Sequence, residues 1–224
     1  MRLSLPVDDL SAYLAAQIST IFPDRHSISA GGVRDFVSAA LERVEYCFLR
    51  INNKYFRDVN GAHFNHLHTD QYAMFLYFFS NTVHRRGGNS QLAGKAYALN
   101  KALHALDAFY EVELPDVFCF QHPVGTVLGR GHYGNFFFVY QRCSVGSNLD
   151  GVYPTIGQGV VMYGGSGIIG ACSVGENCRL SVNSLLMDMD APPASIVFGQ
   201  SPNNNFKRTK RNVVADLFLR GPAT

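Results

Sequence analysis

The sequence predicts an α+β chain: an N-terminal all-helical domain followed by a parallel β-helix of hexapeptide repeats. Three observations predict it. Apolar residues recur every six positions through the second half. A Gly or another small or polar residue often follows them, as in Val145-Gly146, Ile156-Gly157, Val174-Gly175 and Leu180-Ser181. The N-terminal part instead carries apolar residues at helical spacing. A period of six fits neither an ordinary strand nor an ordinary helix, and with a following Gly it marks a hexapeptide solenoid. A Gly-rich β-sandwich would have to produce the same spacing by chance.

The helices come first. Val7, Leu10, Leu14, Ile18 and Ile21 share a helix face, and Pro23-Asp24 stops that helix. Gly31-Gly32 precedes a second pattern from Val33 to Ile51. The segment 52–67 is polar and His-bearing and reads as a connection. Thr69-Asp70-Gln71 starts a third helix, whose apolar run Tyr72 to Phe79 is buried and far too short to span a bilayer. Arg85-Arg86-Gly87-Gly88 supplies a basic last turn and a Gly stop. A fourth helix fits 91–106. The expected organisation is a helical domain over 1–111, the β-helix over 112–199 and a tail over 200–224.

In the solenoid, the core positions read as Leu114, Phe120, Thr126, Tyr133, Val139, Val145, Ile156, Met162, Ile168, Val174, Leu180 and Leu186. Three hexads close one coil of about 18 residues. The small residue after each apolar one would turn the corner at positive φ. One extra residue falls between Thr126 and Tyr133, and an insertion around Leu149 to Tyr153 loops out on one face. After Gly199 the tail turns polar, then basic at Lys207 to Arg211, then apolar.

Composition narrows the function. The chain has 224 residues, is 47% apolar and 16% charged, and carries a net charge of +2. That balance makes no case for nucleic-acid binding. Cys47, Cys119, Cys143, Cys172 and Cys178 contain no Cys-x-x-Cys, which points to reduced thiols in a cytoplasmic protein rather than a zinc site. No apolar run of signal length opens the chain. No membrane partner and no metal are expected.

A helical domain followed by a short hexapeptide solenoid resembles the serine acetyltransferase family, acetyl-CoA-dependent enzymes with a left-handed β-helix. The resemblance is carried by His122-Pro123-Val124-Gly125-Thr126-Val127-Leu128-Gly129, by Gln141, by Tyr153-Pro154-Thr155-Ile156-Gly157, by Gly164-Gly165 and by Gly199-Gln200-Ser201-Pro202. It implies that His122 is the catalytic base and Asp107, fifteen residues earlier, its carboxylate partner. It implies acetyl-CoA as co-substrate and a homotrimer or a dimer of trimers. Asp70-Gln71 is a weak counterpart of the family's acidic pair for the acceptor. Tyr153 stands where the family has a second histidine, and Val152 where it has a basic residue, so the acceptor is serine, another amino or hydroxy acid, or a sugar. The ending Gly221-Pro222-Ala223-Thr224 lacks the Ile that docks into the sulfhydrylase partner, so that partner is not expected.

Alcohol attack on a thioester needs a base near neutral pH, and histidine with a carboxylate on its other nitrogen supplies one. His122 is the third residue of its hexad. Three hexads on, the same place is Gln141, then Gly164, then Val182, so one column reads His, Gln, Gly, Val. With Gly165 beside it, a bare Gly164 would leave room for the cofactor's extended arm between two subunits. His132 is a substrate-contact candidate near the same end, or a loop residue. His63, His66 and His68 have no carboxylate in register and read as a polar connection. The alternative for His122 is a histidine that merely caps a corner, and for the whole chain a scaffold without catalysis.

Overall fold

The computed structural model describes residues 1–219. Four helices lead the chain: α1 (Val7–Ile21), α2 (Ala30–Phe48), α3 (Thr69–Arg85) and α4 (Ser90–His104). Asp8 and Asp9 favour the positive end of α1. The Ser29 hydroxyl caps α2 by accepting the Gly32 N–H at 3.1 Å. Every residue of α3 from Asp70 to Val83 is buried, so α3 is the central helix of its domain. The expected connection is in part a small sheet. Arg57–Asp58 and Gly61–Phe64 pair with each other, and the latter pairs with Arg2–Leu3. The N-terminal domain is therefore not purely helical.

The chain leaves α4 through Ala105 in the left-handed conformation and enters the solenoid at once. Asp107–Ala108 pairs with Val127–Leu128, so solenoid pairing starts inside the expected helical span. The solenoid is a left-handed β-helix with three faces. Face one stacks Phe118–Phe120, Phe137–Val139, Val161–Met162, Arg179–Leu180 and Ser195–Phe198 in parallel, with Asn205–Arg208 antiparallel at its end. Face two stacks Asp107–Ala108, Val127–Leu128, Ser144–Gly146, Gly167–Ile169 and Leu185–Met187. Face three stacks His132–Tyr133, Thr155–Ile156 and Ser173–Val174. Phe120, Val139, Met162 and Leu180 form one inward column, and Leu128, Val145, Ile168 and Leu186 another, all buried.

The register differs from the expected one at a single corner. Leu128, not Thr126, pairs with Val145. The corner between Phe120 and Leu128 holds two residues more than the corners below it, and the next stretch to Tyr133 is one shorter. Thr126 is buried too, but as a corner residue: its hydroxyl donates to the Tyr140 carbonyl at 2.7 Å and accepts the Cys143 N–H at 3.2 Å. The glycines after the apolar positions also have another cause. Gly157 and Gly175 are absent from the residues with positive φ. An added Cβ would stand 2.8 Å from the Glu176 nitrogen and 2.5 Å from the Pro193 nitrogen respectively. Close approach of successive coils requires them, while left-handed corners fall further along, at Gly159 and Asn177 after these two and at Arg142, Gly165 and Asn183 between faces one and two.

The two parts share a core. Tyr77 of α3 donates its hydroxyl hydrogen to the Val112 carbonyl at 2.7 Å and accepts the Leu114 N–H at 2.8 Å. The rings of Tyr77 and Phe78 pack on Phe118. The tail is a strap: α5 (Val213–Leu217) and Phe218 lie on face one, with Phe218 against Phe136 and Phe138 and bridged to Ile51 of the helical domain. All five cysteines are free and buried. Among the described residues no helix is long and apolar enough to cross a membrane. The four C-terminal residues invoked for partner docking lie outside the described residues.

Candidate active site

His122 sits on the two-residue bulge between faces one and two, at φ 49°. Its position follows from the backbone. The Gln121 N–H still follows the ladder to the Val139 carbonyl at 2.9 Å. The ladder resumes with Val124, whose carbonyl accepts the Arg142 N–H at 3.0 Å. The same bond recurs below, from Gly165 to Gln141 and from Asn183 to Gly164. The column is therefore Val124, Gln141, Gly164, Val182, and His122-Pro123 is extruded beside it. The expected placement of His122 directly over Gln141 is corrected by these bonds.

Extrusion turns the imidazole outward, 73% exposed, while Asp70 beside it is only 3% exposed. Asp70 stands in the first turn of α3. Its Oδ1 accepts the His122 backbone N–H at 3.1 Å, and its Oδ2 lies 3.5 Å from Nδ1 of the same residue. Gln121 Nε2 approaches His122 Nε2 at 3.0 Å and Asp70 Oδ2 at 3.5 Å. The Gln121 amide can only donate to the ring. That places the imidazole hydrogen on Nδ1, facing the carboxylate, and the lone pair on Nε2. A second histidine, the buried His104 at the end of α4, contacts Asn100 Oδ1 through Nδ1 at 2.8 Å. Burial lowers its pKa, and the Asp70 charge partly opposes that.

Asp107 does not meet His122. It belongs to face two, past the corner, where Lys101 donates to Oδ2 at 2.6 Å and Tyr97 to Oδ1 at 2.7 Å. Burial acts to raise its pKa, but these two donors outweigh it and hold the carboxyl below the ordinary carboxylate range. The carboxylate at the imidazole comes from the helical domain instead. The sequence reads Asp70 as an acceptor contact and His104 as a packing residue on a helix, and Gln121 carries no signal beyond adjoining the His122 run.

The remaining candidates form two groups. Gln141, Gly164 and Val182 do share a column, with Gly165 at the left-handed corner beside it. Its middle is not bare, because an added Cβ on Gly164 would stand 2.8 Å from Gln141 Nε2. The Gln141 amide occupies the space that the missing side chain leaves. Tyr153 lines a separate cavity of about 360 Å³ with Asp107, Arg130 and Phe109. His132 is exposed on face three, in register with Thr155, away from both groups. Of the three close-spaced histidines, His66 bonds the Ser4 hydroxyl at 2.8 Å and His68 caps α3.

No family model and no curated protein sequence matches the chain. Solved structures do. A serine acetyltransferase from Brucella abortus strain S19 superposes with a TM-score of 0.65 at 16% identity, covering 90% of this chain and 83% of that one. The serine acetyltransferase of Neisseria gonorrhoeae in complex with serine gives 0.62 at 18% identity over 88% and 83%. A serine acetyltransferase in complex with CoA gives 0.63 at 17% identity over 88% and 83%. At these identities the likeness establishes the fold.

Proposed function

We propose that this chain transfers an acetyl group from acetyl-CoA to a hydroxyl of a small molecule, with His122 as general base and Asp70 as the group that orients it. The observation that carries the proposal is the buried Asp70 carboxylate against an exposed imidazole at the seam of two domains. A carboxylate at Nδ1 fixes the tautomer and stabilises the imidazolium that forms. His122 Nε2 takes the acceptor's hydroxyl proton as the oxygen attacks the thioester carbonyl. The tetrahedral oxyanion collapses, the carbon–sulfur bond breaks, and His122 returns the proton to the departing thiolate. Gln121 has to swing off Nε2 first. The superposable serine acetyltransferase with CoA supports acetyl-CoA as donor. The active assembly in this proposal is a homotrimer or a dimer of trimers.

For the acceptor, the proposal names serine, another amino or hydroxy acid, or a sugar. Tyr153 and Val152 themselves supply no cation for an amino acid's carboxylate, while Arg130 lines the cavity with Tyr153, so the whole set stays in the proposal. One observation favours a second reading, a scaffold without catalysis: amide side chains cover both Nε2 of His122 and the gap at Gly164.

The test is thiol release from acetyl-CoA with serine, homoserine and amino sugars. Activity on any of them should fall by about 10²-fold or more in His122→Ala and in Asp70→Asn, as expected of general base catalysis. Asp107→Asn should leave it unchanged. Activity lost in Asp107→Asn but kept in Asp70→Asn would overturn the assignment of the carboxylate. Silence across the panel, with no CoA binding by calorimetry, selects the scaffold.

A further inference from the structure

Between the two domains lies a cavity of about 290 Å³ that acyl transfer at His122 does not use. It is lined by Glu42, Arg43 and Tyr46 of α2, by Phe78 of α3, and by Asp116 just ahead of the first strand of face one. Arg43 is the unusual member. Its Nη1 is spent on α3, donating to Asn81 Oδ1 and Thr82 Oγ1, both at 2.9 Å, and to the Phe78 carbonyl at 3.5 Å. Its guanidinium carbon lies 4.9 Å from the centre of the Phe78 ring. These contacts fix the plane of the group, and every one of them is neutral. Nη2 is shielded from solvent and has no hydrogen-bond partner. A guanidinium donates from every nitrogen, so the Nη2 donors stand idle.

No carboxylate among the described residues pairs with Arg43. Glu113 is engaged by Arg85 at 2.7 Å and by the Asn81 amide at 3.4 Å. Burial, and after it the Arg85 charge, push the Arg43 pKa down, and Asp116 and Glu113 act against this without restoring it. A cation fixed in this way, half-buried and without an ion pair, is a donor held ready for an anion. Glu42 and Asp116 present the reverse: exposed carboxylates with no hydrogen-bond or ion-pair partner among the described residues. Both signs of charge therefore face one small cavity. Its other walls are the rings of Phe78 and Tyr46, and Arg50 stacks on the Tyr46 ring, 3.6 Å from guanidinium carbon to ring centre.

We propose that this cavity binds a free α-amino acid with an apolar side chain. The carboxylate takes the idle guanidinium donors, the ammonium lies between Glu42 and Asp116, and the side chain packs on the rings of Phe78 and Tyr46. A purely anionic ligand would meet two carboxylates, and a purely cationic one would meet the guanidinium, so a ligand with both charges matches the set. The volume sits at the lower end of small-ligand sites, which suits one amino acid and not a nucleotide. An arginine that only tied α2 to α3 would need Nη1, but not an open space beside it with two free carboxylates on its rim. Because α2, α3 and the lead into face one all line the cavity, its occupant bridges the two domains.

Calorimetry on the full chain tests it with leucine, 4-methylpentanoate and 3-methylbutylamine. Leucine should bind, and each analogue, lacking one of the two charges, should bind about tenfold more weakly or worse, as for one lost charged hydrogen bond. Arg43→Met should abolish leucine binding. Asp116→Asn, an exposed change that leaves the packing alone, keeps the test decisive where Arg43→Met does not fold. It should weaken leucine and strengthen 4-methylpentanoate, because it removes the ammonium's partner and a charge that repels the bare acid. His122→Ala should change none of the three. No heat from leucine at millimolar concentration overturns the proposal. So does either analogue binding as tightly as leucine, or a leucine affinity that Asp116→Asn and Glu42→Gln together leave unchanged. Leucine binding that disappears in His122→Ala places the amino acid at the candidate active site and overturns it as well.

Discussion

The helical domain and the solenoid solve the same packing problem with opposite tolerances. In the helical domain, side chains separate the backbones, and α3 is buried on every side by neighbouring helices and the first solenoid strands. In the solenoid, successive coils are joined backbone to backbone at one strand spacing of about 4.8 Å. Some corners leave no room for even a methyl group between coils. A helix absorbs a small change by shifting side chains. A coil can shift only by breaking ladder hydrogen bonds to both neighbours. The difference teaches where function can be placed: the reactive-looking histidine stands where the solenoid escapes its own lattice, on a bulge, and borrows its carboxylate from the more forgiving half.

The sharpest way to break the comparison is a methyl group in the face-three stack. Gly157→Ala should destabilise by about 2–3 kcal/mol, the upper part of the range for overpacking, because backbone atoms of the next coil cannot move aside. Its Cβ would meet the Glu176 nitrogen at 2.8 Å and the Gly175 carbon and Val174 oxygen at 2.9 Å, all backbone atoms of the next coil. Gly146→Ala is the control inside the same solenoid, because the nearest atom is the flexible Ile169 Cδ1 at 3.7 Å. Urea unfolding of both variants checks the pair. Equal losses would mean that the stacked glycines are not held by close coil approach.

A middle-sized effect belongs to the seam. Tyr77→Phe keeps the ring on Phe118 and removes only the hydroxyl. It leaves the Leu114 N–H and the Val112 carbonyl buried without their partner. Each orphaned group costs about 1–3 kcal/mol, and two at the low end of that range give a loss of ~2 kcal/mol, with little change in the denaturant slope. A shallower slope together with two separate transitions would show that this hydroxyl couples the two halves into one folding unit.

These two positions also mark what could be read from the sequence. Periodicity found the solenoid, because each inward residue repeats the last one's environment, from Val139 through Met162 to Leu180. It found α3 through the unbroken apolar run from Tyr72 to Phe79. It could not find the bulge. Thr126 is buried and sits six residues after Phe120, so a corner residue passes for a core one, and the two-residue bulge, offset by the stretch to Tyr133 that is one residue short, reads as a single extra residue after Thr126. That slip put His122 in the wrong column. The carboxylate partner was out of reach for a different reason. Spacing proposes partners within the repeat, whereas Asp70 is 52 residues from His122 and arrives through the docking of α3. Asp107 satisfied the spacing, yet Lys101 and Tyr97, six and ten residues before it, hold it on the adjacent face.

The smallest expected effect returns to the helical half and has the opposite sign. Gly94 lies inside α4, and an added Cβ would meet nothing within 4 Å. It is absent from the residues with positive φ, so its backbone suits alanine. Gly94→Ala should therefore stabilise by about 0.5–1 kcal/mol, through lower backbone entropy in the unfolded chain and better helix propensity. A rise in Tm of a few degrees at unchanged slope is the readout. The same methyl group would then be favourable on a helix and costly between coils, with no change in chemistry between the two sites. A fall in Tm would mean that something outside the single chain, such as a second copy, already covers that helix face.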